Sequence, residues 1–215
     1  MPLKAVGLRR VPAQDRSRMT REHILDTAAR VFGERGVANT STNRIAAEAG
    51  VSVGTVYRYF SDRSVIVDEL LRRILDSQER RVMEAMAGPT GTSVCETITL
   101  ILEATTEELA ADAPLVRALV EGVPFYDSGI PELELRIRLM VKLLVVRLLG
   151  PGDDREYDVM TFVLVNTCCA AVLRTALLDG DSQDHREILV MTARLITPLA
   201  EAEIEARKGR GPGRR

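Results

Sequence analysis

The chain has 215 residues, 46% hydrophobic and 28% charged, an ordinary globular mix with room for one small and one larger domain. Its three cysteines, Cys95 and the adjacent pair Cys168 and Cys169, have no metal-ligand spacing and make no disulfide framework, which fits a reducing cytoplasm. A net charge of −2 hides an asymmetry: through Arg63 there are 11 Lys and Arg against 6 Asp and Glu, whereas residues 64–206 carry 13 against 25. Attraction for phosphate is therefore concentrated at the N-terminal end, and the acidic remainder repels nonspecific contact.

Residues 1–16 read as a flexible basic arm, with Arg9, Arg10 and Arg16 in it and Arg18 just beyond. Entry into a DNA minor groove is one use for such an arm, and plain solvation is the other. Ala5 to Leu8 is too short for the apolar part of an export signal. Ile24, Leu25, Ala28, Val31 and Phe32 then recur at helical spacing, and Gly36 ends that helix. His23 reads as a surface residue without chemistry.

Ser41 is a good N-cap for a second helix with Ile45, Ala46 and Ala49 on one face. Gly50 suits the positive φ of a helix stop, and Val51 plugs the angle before the next helix. Ser52 caps a short third helix from Val53 to Phe60, with Val56 and Phe60 facing inward. Its other side holds Val53, Gly54, Thr55, Tyr57, Arg58 and Tyr59, small at the tip and carrying hydroxyls or a guanidinium further along. That distribution suits a helix whose tip approaches base edges while its flanks bond phosphates.

Past Arg63 longer helices take over. Val67, Leu70, Leu71, Ile74, Gln78 and Val82 share a face from Ser64 to Met86, and Gly88-Pro89 breaks that helix. Ser93 and Glu96 have capping-box spacing ahead of Ile98, Ile101, Leu102, Thr105 and Leu109. Pro114 opens a helix through Leu115, Val116, Leu119 and Val120, and Pro131 opens another that Gly150-Pro151 stops. Asp154 to Leu178 is apolar nearly all round between Val159 and Leu173, so a second copy of the chain is expected to cover its outer side. The uncharged run between Asp158 and Arg174 is 15 residues, short of the about 20 a membrane span needs, so no membrane is expected as a partner. Asp184 and Glu187 have capping-box spacing at the start of the last helix, and Pro198 predicts a kink or end near Thr197. Residues 207–215, basic with nothing to bury, read as a disordered tail.

From Thr40 to Arg63, T-S-T-N-R-I-A-A-E-A-G-V-S-V-G-T-V-Y-R-Y-F-S-D-R resembles the DNA-binding domain of TetR-family transcriptional regulators nearly position by position. The stretch T-R-E-H-I-L-D-T-A-A-R-V-F-G-E-R-G-V, Thr20 to Val37, is similar to the family's first helix, so the resemblance spans roughly residues 17–75. It implies an all-α chain: a three-helix helix-turn-helix domain over 17–63 and a C-terminal helical bundle over 64–206 that dimerises through its last two long helices. By the same resemblance Thr42, Asn43, Val53, Gly54 and Thr55 approach bases, while Tyr57, Tyr59 and Arg63 grip phosphates with help from Thr40 and Ser41. Ser52 belongs to the same surface, and Arg58 faces either DNA or solvent. Val53 departs from the Lys often found there, so an apolar contact such as a thymine methyl is expected.

The family also implies a small effector inside the bundle whose binding releases an operator, usually ending repression. Residues mixing soft apolar volume with occasional polarity are Met83, Met86, Phe125, Tyr126, Met140, Phe162, Asn166 and Arg174. With 4% aromatics and no Trp, the lining is expected to be aliphatic and the effector apolar or amphipathic. No cofactor or metal is expected. A catalytic reading lacks a nucleophile with its base, paired carboxylates or a phosphate-binding Gly loop. Two rivals remain: a redox sensor built on Cys168 and Cys169, and a helical ligand carrier that ignores DNA.

Overall fold

The computed structural model describes residues 13–87, 92–122, 131–178 and 182–209, and every regular element among them is helical. The N-terminal head has α1 (Ala13–Arg35), α2 (Thr42–Glu48) and α3 (Val53–Tyr59). The body has α4 (Arg63–Met86), α5 (Val94–Ala110), α6 (Ala113–Gly122), α7 (Pro131–Leu149), α8 (Asp154–Leu164), α9 (Ala170–Leu177) and α10 (Ser182–Gly209). A π turn over Val165–Cys169 joins α8 to α9.

Side chains set the helix starts. Ser41 Oγ accepts from the Arg44 amide at 3.3 Å, Ser52 Oγ from Thr55 at 3.1 Å, and Asp62 from Val65 at 3.2 Å. At α5 the capping box is reciprocal: the Ser93 amide donates to the Glu96 carboxylate at 2.8 Å and the Glu96 amide to Ser93 Oγ at 3.2 Å. Gly36 and Gly50 sit at φ 79° and 64°, the left-handed region in which a side chain is strained, and there α1 and α2 stop.

The head core does not close with three helices. Ile24, Leu25, Ala28 and Phe32 of α1 pack with Ile45, Ala46, Val56 and Phe60, then with Ile66, Val67 and Leu70 of α4 and with Leu115, Ala118 and Leu119 of α6. The boundary drawn from sequence between residues 63 and 64 thus falls inside one continuous core. Gly33 makes the α1–α6 contact possible: a Cβ there would lie 3.1 Å from Pro114 Cβ and 3.2 Å from the Leu115 nitrogen. Arg21 with Glu69 at 2.8 Å, and Arg73 with Asp26 at 2.6 Å and with Glu22, tie α1 to α4 along the outside. Behind the head, α5 packs with α9 and α10 through Ile98, Leu102, Val172, Leu189 and Ala193. Val145, Leu149 and Tyr157 form a further cluster with Ala200 and Ile204, and the Tyr157 hydroxyl donates to the Gly150 carbonyl at 2.5 Å.

Four sequence expectations change. The basic arm gives way to helix at Ala13, so Arg16 lies in α1; Asp15 in its first turn favours the positive end of the helix dipole. The helix expected from Asp154 to Leu178 is interrupted by the π turn, which shifts the register after Leu164. The last helix begins at Ser182, which makes Asp184 a first-turn acid instead of the cap. That helix also continues past Pro198 to Gly209, three residues into the basic tail, so the end that Pro198 allowed near Thr197 does not occur; Ala200 and Ile204 dock on the Val145–Leu149–Tyr157 cluster and offset the lost backbone donor.

One consequence is measurable at the α1–α6 contact. Gly33→Val inserts a branched side chain where even a methyl is crowded, and should destabilise the fold by about 1–3 kcal/mol in urea melts. An unchanged midpoint would mean that α6 does not press on α1.

Candidate nucleic-acid interface and body cavity

The turn between α2 and α3 is fixed first. The Gly50 amide donates to the Ala47 carbonyl at 3.2 Å and the Val51 amide to Ala46 at 3.0 Å. His23 Nε2 lies 3.0 Å from the Ala49 carbonyl, and since a carbonyl only accepts, Nε2 carries the proton. His23 thus caps α2 from α1, a role its sequence context did not signal. Arg30 adds a bridge from α1 to Glu48 of α2 at 2.9 Å while also holding Glu34, and Arg30 holds the Glu48 carboxyl below its ordinary value.

On this frame α3 presents its tip to solvent. Val53, Gly54, Tyr57 and Arg58 are exposed and Thr55 is half-buried; Ser41 and Asn43 of the α2 start are exposed beside half-buried Thr42. One hydroxyl pair links the two helices, Thr42 Oγ1 and the Tyr57 hydroxyl sharing a hydrogen bond of 3.2 Å, and within the α3 cap Ser52 Oγ and Thr55 Oγ1 share one of 2.8 Å. The Tyr59 hydroxyl shares 3.1 Å with Ser17 of α1, and the Arg58 guanidinium lies 5.1 Å from the Tyr59 ring centroid. The bond from Ser17, with Arg58 beside it, holds the Tyr59 phenol below its ordinary pKa.

Gly54 is the informative position. It has an ordinary helical backbone, and a Cβ there would meet only Ser52 Oγ at 3.9 Å. Glycine in a helix costs about 1 kcal/mol relative to alanine, and nothing inside the protein requires it here. Packing within the described residues therefore gives no reason for a glycine at this exposed position.

Of the residues assigned to phosphate contact, Thr40 is buried, and Arg63 is exposed but has a guanidinium nitrogen committed to backbone carbonyls. Thr40 is 1% exposed, and its hydroxyl donates to the Gly36 carbonyl at 2.9 Å. Arg63 Nη1 donates to the carbonyls of Val37, Ala38 and Thr40 at 2.9, 3.1 and 3.1 Å. Both clamp the α1–α2 connection, because the carbonyls of a loop have no ladder partner and need donors. Sequence spacing alone could not distinguish this from an outward grip.

A second concavity lies in the body, a cavity of about 250 Å³ walled by α4 to α10. Of the residues expected to line it, only Met140 does so among those described. Met83 and Phe162 are exposed, Met86 is half-buried outside the lining, and Arg174 is exposed on α9. Asn166 Nδ2 is spent on the Phe162 carbonyl at 2.8 Å within its own helix. Phe125 and Tyr126 lie outside the described residues. The lining is aliphatic, as expected, with Leu71, Ile74, Ile101, Val116, Leu144 and Leu148 prominent, and it includes Gln78, which the sequence placed on the inward face of α4 without assigning it to the ligand. Cys168 and Cys169 also reach it; burial pushes their thiols up to about 12 and about 11.

Residues 24–70 match the family model described as bacterial regulatory proteins, tetR family. Over 51 residues the chain is 47% identical to the HTH-type transcriptional regulator AcrR of Shigella flexneri, covering 24% of each. Over 56 residues it is 45% identical to an HTH-type transcriptional regulator of Staphylococcus aureus strain USA300, covering 26% of this chain and 30% of that one. The match spans only about a quarter to a third of these relatives' length. In fold the chain is similar to a tetR-family regulator from Streptomyces coelicolor, TM-score 0.67 at 16% identity over 91% of this chain and 90% of that one. It is also similar to the fatty acid degradation regulator FadR of Bacillus halodurans, TM-score 0.66 at 19% identity over 83% and 94%.

Two outcomes follow from this geometry. Gly54→Ala should raise stability by up to about 1 kcal/mol in urea melts while weakening duplex binding about tenfold or more; a variant that binds as well as the parent would show that Gly54 faces no ligand. At pH 8 iodoacetamide should modify Cys168 and Cys169 at least about a hundredfold more slowly in the native than in the unfolded chain, since the thiolate is the nucleophile. Equal rates would restore the redox reading.

Proposed function

We propose that this chain, which belongs through its N-terminal domain to the tetR family of bacterial regulatory proteins, is a cytoplasmic transcriptional repressor. It binds a pseudo-palindromic operator as a homodimer and lets go when a small apolar molecule fills the body cavity. The observation that carries the DNA half is the α3 tip: an exposed, sterically unneeded Gly54 between Val53 and Thr55, with Tyr57 and Arg58 beside it. Ser41, Thr42 and Asn43 at the start of α2 flank it. A bare tip lets backbone and short side chains reach base edges in the major groove, and the surrounding hydroxyls position the helix on phosphates. Thr40 and Arg63 contribute by fixing the connection from which α2 springs.

Dimerisation is supported by apolar surface that one copy leaves wet. Val159, Phe162 and Val163 of α8 and Ile188, Met191, Leu195 and Leu199 of α10 are exposed, Phe162 at 55% and Leu195 at 73%. The rod Asp154–Leu177 is long and apolar enough, by length and composition, to cross a membrane, because its charges lie near its ends. Here one side of it lines the cavity, and a second copy covers the other. A twofold axis then sets two α3 helices about 34–36 Å apart, one turn of B-form DNA.

Release is read through α6. Leu115 and Ala118 belong to the head core, Val116 and Val120 line the cavity, and Leu119 does both. A ligand that displaces this helix moves the surface on which α1 rests, so occupancy of the cavity and the spacing of the heads share one element.

The test uses Phe162→Glu and Leu195→Glu. Each should raise the dimer dissociation constant on the order of 30-fold. Light scattering should show monomers, and fluorescence anisotropy should show loss of operator binding together with the steep salt dependence expected of phosphate contacts. Monomers that hold the operator as tightly as the parent would end the dimeric reading, and salt-insensitive or absent duplex binding would favour the carrier.

A further inference from the structure

The wall of the body cavity gives an entering molecule almost nothing to hydrogen-bond. Among the described residues lining it there is no Asp, Glu, Lys, Arg or His, and the side chains that carry nitrogen or oxygen are Gln78 and Thr105. Gln78 Nε2 donates to the Thr105 carbonyl at 3.3 Å, and its Oε1 is enclosed by protein and closed to a water-sized group. The Thr105 hydroxyl gives its proton to the Ile101 carbonyl at 2.6 Å, and hardly any of the surface facing the cavity belongs to polar atoms. Cys168 and Cys169 complete the wall, and a thiol behaves as a small hydrophobe with a weak donor.

Such a space selects by what it withholds. A carboxylate or an ammonium drawn into it would lose its hydration and gain no counter-charge, and a hydroxyl would lose its bonds to water without replacement. Water itself needs two or more polar partners to stay, which this wall does not supply. A dry apolar cavity of about 150 Å³ holds benzene, with six carbons, so about 250 Å³ holds about ten. We infer that the molecule taken up is an unfunctionalised hydrocarbon of about eight to ten carbons, without hydroxyl, carboxylate or amine, packed among Leu71, Ile101, Val141, Leu144, Leu148 and Leu173. This rests on the reading of the cavity as the effector site, and it specifies the class of molecule that site accepts.

Four probes of equal heavy-atom count test it on the full-length, DNA-free protein at pH 8: n-nonane, 1-octanol, heptanoate and octylammonium. Uptake of the first two is read by gas chromatography of the headspace over sealed solutions, and that of the two ions by calorimetric titration. A hydroxyl left in water at the cavity mouth, or partnered inside, would cost 1-octanol only its missing carbon, about fourfold in affinity. A hydroxyl taken in unpartnered costs far more, so 1-octanol should bind more than about tenfold weaker than n-nonane, and the two ions weaker again. Val141→Phe, which fills part of the space, should weaken n-nonane binding about fivefold or more. Leu144→Trp serves if that variant does not fold, and the parent series decides the matter if neither does. No uptake of n-nonane, 1-octanol within tenfold of it, either ion bound more tightly than 1-octanol, or a smaller loss in a folded filling variant would each overturn the inference. Anisotropy of the DNA complex is read separately: n-nonane that binds as expected and leaves DNA bound would defeat effector release while leaving this ligand class standing.

Discussion

The head holds its position because two helices come closer than side chains normally permit. Gly33 of α1 lies against Pro114 and Leu115 at the start of α6, close enough that an added methyl would be crowded on both sides. This approach lets Leu115, Ala118 and Leu119 enter the head core, so that the three N-terminal helices are completed by a helix of the body. Bundles transmit small displacements because packed interiors have discrete arrangements and little slack. With α6 shared between the head core and the cavity wall, the proposed release has one element through which to act.

The electrostatics serve the same division. Within the head, charges are mostly spent on neighbours: Arg30 on Glu34 and Glu48, Arg21 on Glu69, and Arg73 on Asp26 and Glu22. Such exposed pairs contribute little to stability individually, but they fix which faces of α1, α2 and α4 meet. Burial raises the Glu69 carboxyl, but Arg21 and Arg72 outweigh it and the net shift is downward. What remains toward the α3 tip is uncharged or basic, which fits the phosphate contact proposed for it. At the other side of the body Arg136, held by Asp76 at 2.7 Å and Glu79 at 2.9 Å, ties α7 to α4 and so closes the cavity wall from outside.

Much of the fold was legible because it depends on short-range chemistry. Ser41, Ser52 and the Ser93–Glu96 box announce helix starts through their own hydrogen bonds, and Gly36 and Gly50 announce stops through a φ that other residues resist. The helical stripe from Ile24 to Phe32 likewise needed no knowledge of its partners. The misjudged features depend on contacts distant in sequence. Thr40 and Arg63 have the chemistry of phosphate ligands, and only the fold shows that three loop carbonyls claim Arg63 and that Thr40 is enclosed. His23 looked like a bystander because its acceptor is 26 residues away. The π turn leaves no mark in residue type, yet it determines which faces of Val165 to Cys169 meet the cavity. Pro198 was read by its local cost, whereas the docking of Ala200 and Ile204 decided the outcome. Met83 and Phe162 resembled lining by composition and prove to face outward, which is where a second copy would cover Phe162.

The central claim is that two copies of α3 read one duplex about a common axis. It is tested most directly by selecting bound duplexes from a random DNA pool with the full-length protein and reading the enriched sequences. The account predicts two inverted half-sites whose centres lie about one helical turn, 10–10.5 base pairs, or a multiple of it apart. Enrichment of a single asymmetric site, or no enrichment above the starting pool, would contradict it.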